Sequence, residues 1–128
     1  MTATLDRMPT KTWLYKETLN ALMEQAGINN KTDRQTVRYT IRAIGEAARK
    51  ERATFPDAKL SQAVSLAPKP EYYTWDYEPD IVDLDSVRAV MASPLLVGAV
   101  RRHKHRSMTD AAITTMGRFV AGLERFRP

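Results

Sequence analysis

Between Thr32 and Arg52, Val37, Ile41, Ile44 and Ala48 follow one another at steps of four, three and four. At about 100° per residue those steps stack the four side chains in one narrow apolar stripe. Thr32 followed by Gln35 has the form of a capping box, so the pattern predicts a helix over 32–53. An earlier helix is predicted from about Thr12 to Ala26. Tyr15, Leu19, Leu22, Met23 and Ala26 form its inner face, and Gly27 followed by apolar Ile28 forms its stop. The short link 28–31 makes the two helices neighbours. Phe55-Pro56 ends the second helix, because a residue before proline is pushed out of helical geometry.

Residues 56–67, PDAKLSQAVSLA, fit two patterns: a short helix burying Leu60, Val64 and Ala67, or a strand showing Leu60, Gln62, Val64 and Leu66 on one side. The helix is preferred. Pro68 and Pro70 then enforce an extended crossing into a strap over 68–84, where Tyr73, Trp75 and Tyr77 alternate with period two. Asp83 or Asp85 caps a short helix from Ser86 to Ala92 that turns Val87, Val90 and Met91 inward, and Ser93-Pro94 starts another through LLVGAVRRHKH. A last helix opens at Ser107 with Asp110 as its capping partner. Its stripe is Ile113, Met116, Val120 and Leu123, flanked by Phe119 and Phe126. The expected fold is all-α: one domain over 1–128, five or six helices in a small bundle, a helix-turn-helix-like pair near the N-terminus, an arm at 1–11 and one extended acidic-aromatic strap.

Composition narrows this further. A chain of 128 residues is sized for a single core. Without cysteine it has no disulfide, thiolate nucleophile or cysteine zinc site. No apolar run approaches the roughly 18 residues that span a bilayer, and MTATLDRMPTK lacks the apolar centre of a signal peptide, so no membrane partner and a cytoplasmic location are expected. The net charge of +5 conceals blocks: ten Lys or Arg against six Asp or Glu over 1–53, two against seven over 54–86, and eight against two over 87–128. Such blocks pair with one another within the chain, or leave a basic face open to a polyanion.

Candidate chemistry follows the basic blocks. Arg34, Arg38, Arg42 and Arg49 lie within roughly a quarter-turn of one another, beside the apolar stripe of the second helix. They are either a solvated flank or a phosphate-binding row. The pair formed by the first two helices resembles, over about 25 residues, the helix-turn-helix of many bacterial and phage DNA-binding proteins, with Gly27-Ile28 at the turn and Thr36-Val37 in the second helix. Seven residues, Asn29 to Gln35, separate the two pairs, more than the compact motif uses. That resemblance implies that Arg34, Gln35, Arg38, Tyr39 and Arg42 face a duplex, with Gln35 and an arginine suited to base edges. Arg101, Arg102, His103, Lys104, His105 and Arg106 form the densest cationic run, which binds polyanions through counterion release or simply suits a helix C-terminus.

Metal binding is disfavoured. His103 and His105 point to different sides of a helix end, and Asp76, Glu78, Asp80, Asp83 and Asp85 lack the glycine turn of a calcium loop. Phosphate-loop, nucleophile-elbow and zinc-helix motifs are absent, so neither catalysis nor a cofactor is expected. The expected function is that of a small basic DNA-binding protein of regulatory or accessory type. Its partner is nucleic acid, duplex DNA foremost, held by the helix over 32–53 (Arg49 included) and by Arg101, Arg102, Lys104 and Arg106. The alternative is an assembly subunit or inhibitor, forming a homo-oligomer or heterocomplex through Tyr73, Trp75, Tyr77 and the last helix.

Overall fold

In the computed structural model the chain is all-α, and its described residues are 13–66, 82–101 and 109–124. The helices are α1 (Lys16–Gln25), α2 (Lys31–Thr54), α3 (Lys59–Ala63), α4 (Leu84–Met91), α5 (Leu95–Arg101) and α6 (Thr109–Glu124). α2 is the hub, packing against α3, α5 and α6, while α1 lies on α6. The arm at 1–11, the strap from Pro68 to Ile81 and the run from Arg102 to Met108 lie outside the described residues.

α2 is central because most of its circumference is buried. Val37, Ile41, Ile44 and Ala48 are fully enclosed, as their spacing predicts, and Thr40, Ala43, Gly45 and Ala47 join them. Small residues at 43, 45 and 47 allow neighbouring helices close approach, widening one stripe to more than half the cylinder. The buried Thr40 hydroxyl donates back to the Thr36 carbonyl at 2.7 Å, so that hydroxyl is not stranded.

The helix ends differ from expectation where the chain makes contacts distant in sequence. α1 begins at Lys16, not Thr12, because residues 13–15 are extended: Trp13 bridges antiparallel to Asp83, and the Leu14 N–H donates to the Val82 carbonyl at 3.1 Å. Leu14 is therefore fully buried and Tyr15 only partly so. The stop of α1 is as expected. Gly27 takes φ +79°, Ile28 N–H donates to Met23 O at 2.9 Å and Gly27 N–H to Glu24 O at 3.1 Å, which is a Schellman motif with Ile28 and Met23 both in the core.

The start of α2 is a correction. Asn30, not Thr32 with Gln35, is the cap: its Oδ1 accepts from the Asp33 N–H at 2.8 Å, and its Nδ2 donates to Asp33 Oδ2 at 2.7 Å. A cap must sit outside the helix in extended geometry, and Asn30 does so while Thr32 is already helical.

Residues 56–66 use both predicted patterns in turn. Five residues form α3, then Val64 leaves the helix at φ −110° and ψ 122°, and Leu66 bridges to Val82. The extended pair Val82-Asp83 thus receives both the N-terminal segment and the exit of α3. Asp83 caps α4 by accepting from the Ser86 N–H at 2.7 Å, which starts the helix at Leu84, not Ser86. Ser93 and Pro94 precede α5, with Ser93 Oγ accepting from the Leu95 N–H at 3.2 Å.

α6 is rotated from its predicted orientation. Ala112, Thr115, Met116, Phe119 and Leu123 are buried, whereas Ile113 and Val120 sit at the edge of the core. Phe119, expected on the flank, is fully enclosed because α6 faces α1, α2, α4 and α5 together. Phe126 and the predicted start at Ser107 lie outside the described residues. No described helix is long and apolar enough to cross a membrane.

Candidate nucleic-acid interface

Burying most of α2 leaves one arc of it exposed, and the arc's composition follows from the same rotation that built the core. Gln35, Arg38, Tyr39, Glu46, Arg49 and Lys50 are exposed there, and Arg42 stands partly exposed among them. By helical rotation these seven span about 120° and run about 22 Å along the axis. Four carry positive charge and one, Glu46, carries negative charge.

The predicted arginines have different surroundings. Arg34 is partly buried and donates from Nε to the Ile28 carbonyl at 2.8 Å, so one edge of its guanidinium braces the turn after α1. Arg38 is exposed and donates from Nη2 to Asn20 Oδ1 at 2.7 Å. That partner is a neutral amide, so the contact orients the guanidinium without cancelling its charge. Arg42 lies 3.5 Å from Glu46 in an i,i+4 pair whose side chains are 42% and 49% exposed. Exposed pairs of this kind contribute only about 0.3–0.5 kcal/mol, a contact that a phosphate can displace. Arg49 is exposed one further turn along, beside Lys50.

Other cations are committed to the fold. Arg52 lies near the same rotational position as Arg34, but its Nη2 donates to Ser61 O at 2.6 Å and Val64 O at 2.5 Å, closing the open end of α3. Arg88 is largely buried, its side chain 12% exposed, with Nε 2.6 Å from Glu124 Oε1 and Nη1 3.6 Å from Asp85 Oδ1. Arg118 reaches from α6 to Asp33 Oδ2 at 3.0 Å. Hydrogen bonds from Asn30 and then Arg118 hold the Asp33 carboxyl below its usual range. Thus the acids at the α2 entrance and on α4 are engaged away from the arc.

Three members of the site, Glu46, Lys50 and Asn20, have no counterpart among the residues singled out from the sequence. Lys50 lies about 20° from Tyr39 by rotation, a relation visible in the sequence once the exposed arc is known. Asn20, the partner of Arg38, lies 18 positions away on another helix and gives no local signal. Of the cationic run, Arg101 ends α5, while Arg102, Lys104 and Arg106 lie outside the described residues, as do Tyr73, Trp75 and Tyr77. Asp83 and Asp85, weighed above as oxygen ligands, cap α4 and pair with Arg88. No group of three or more potential metal ligands comes together among the described residues. No protein-family model matches the chain, and neither a curated protein nor a solved structure matches it.

Proposed function

We propose that this chain binds nucleic acid, duplex DNA foremost, through the exposed arc of α2, as a regulatory or accessory binding protein and not as an enzyme. The observation that carries the reading is the arc itself: Arg38, Arg42, Arg49 and Lys50 on one side of α2, with Glu46 the one carboxylate among the described residues of that arc. Cations in a row release counterions when they meet phosphates, which gives affinity without regard to sequence. Gln35 and Arg38 supply the amide and guanidinium geometry that reads base edges. The basic residues Arg101, Arg102, Lys104 and Arg106 would add backbone charge.

Fluorescence anisotropy of a labelled DNA duplex tests this. Arg38→Glu with Arg42→Glu lowers affinity at least about tenfold, since two phosphate contacts become repulsions. Lys59→Glu, an exposed charge reversal on α3, leaves it within about twofold. Unchanged affinity in the double variant removes α2 from the binding surface. The rival reading, an assembly subunit using residues 71–85 and α6, predicts instead a stable oligomer or heterocomplex and no salt-sensitive binding to DNA.

A further inference from the structure

We infer that Arg38 reads guanine in the major groove of a DNA duplex, and that Asn20 of α1 positions its guanidinium for that contact. The inference rests on the reading of the α2 arc as a duplex-binding surface and assigns that surface a base preference. Arg38 stands exposed on α2 and donates from Nη2 to Asn20 Oδ1 at 2.7 Å. Both ends of the bond are anchored in the core through their neighbours: Val37, next to Arg38, and Leu19, next to Asn20, are buried. The Asn20 amide is therefore a fixed point that holds a long, solvent-facing side chain. Arg34 and Arg42 are held differently, the first by the Ile28 carbonyl and the second beside the Glu46 carboxylate.

A guanidinium carries its N–H donors in one plane, and the bond to Asn20 leaves further donors of that plane for a ligand. Guanine offers O6 and N7 side by side in the major groove, which two parallel donors of an arginine match. An A·T pair has no such edge there: adenine sets N7 beside a donor, and thymine sets O4 beside a methyl group. Telling these edges apart requires the plane of the guanidinium to be set, whereas a phosphate contact carries no sequence information. A carboxylate partner would set the plane and offset the charge. A neutral amide sets it and leaves the charge for the duplex. As a staple between α1 and α2 alone the contact would contribute little, because water competes for both partners of an exposed hydrogen bond.

Anisotropy is measured with three labelled duplexes of one length: alternating G·C, the same duplex carrying 7-deazaguanine, and alternating A·T. The wild-type chain binds the G·C duplex about tenfold more tightly than the A·T duplex, and the 7-deazaguanine duplex falls between because it keeps O6 and lacks N7. Asn20→Ala brings the three affinities within about twofold of one another and leaves the salt slope unchanged, because no cation is lost. Arg38→Ala also removes the preference, but it flattens the slope by about one. Asn20→Asp, which keeps the size and the acceptor, weakens binding to all three duplexes because its charge offsets that of Arg38. Circular dichroism checks that the variants stay folded. An Asn20→Ala variant with the wild-type preference, an Asn20→Asp variant with wild-type affinity, or a wild-type chain that binds all three duplexes alike overturns the inference and leaves the α2 surface in place. Absent or salt-insensitive binding to every duplex overturns both.

Discussion

At Gly122 the approach of α6 to α1 is so close that a methyl group would lie 2.7 Å from the Ala26 carbonyl oxygen and 2.9 Å from the Ala26 Cβ. Backbone atoms cannot yield as a side chain can, so Gly122→Ala is expected to cost about 1–3 kcal/mol, read as a lower denaturation midpoint. Gly117, five positions earlier on the same helix, has nothing within 4 Å of the equivalent point. There Gly117→Ala should stabilise by about 0.5–1 kcal/mol through helix propensity alone. A second residue-scale effect concerns acid. The Asp33 carboxyl is held below its usual 3.8 by Asn30 and Arg118. A lowered folded value means the stability it adds is complete above the unfolded value near 3.8 and is lost as pH falls through the lower folded one. Arg118→Ala should therefore reduce stability at neutral pH and shrink that acid-side loss, as followed by thermal denaturation across pH.

At the scale of elements, α2 divides into an inner side buried in the core and an outer side exposed to solvent. Ile41→Ala should cost about 2–5 kcal/mol, because the fully buried side chain leaves a cavity in the core. Gln35→Ala and Arg49→Ala should stay within about 0.5 kcal/mol of wild type by chemical denaturation, leaving these positions open to selection for binding. The inner stripe of α2 was legible because helical rotation alone orders Val37, Ile41, Ile44 and Ala48. The Gly27 stop and the Phe55-Pro56 end were legible because each depends on residues next to one another. The entry of α1 was not: Trp13 and Leu14 are extended only because Val82 and Asp83 wait beside them, a pairing without local signature. Likewise, the rotation of α6 that encloses Phe119 is set by the four helices it packs against and not by its own periodicity.

Across the whole molecule, the charge blocks become a sorting of cations into structural and solvent-facing sets. Arg52, Arg88 and Arg118 bond carbonyls or carboxylates of other elements, Arg42 pairs with Glu46 on its own helix, Arg38 is oriented by an amide, and Arg49 and Lys50 lie on the exposed arc. The sequence placed Arg38, Arg42 and Arg49 on a common side, yet it set Arg34 beside them on equal terms, because only the folded turn brings the Ile28 carbonyl to that guanidinium. The most direct measurement of the central claim is the salt dependence of affinity for a labelled DNA duplex, compared between the wild-type chain and Arg38→Glu with Arg42→Glu. Three or more phosphate contacts predict that log K falls against log salt with a slope of about −3 or steeper, and that the double variant flattens this slope by about two. A flat dependence, or one identical in both proteins, would contradict a cationic α2 surface as the site of binding.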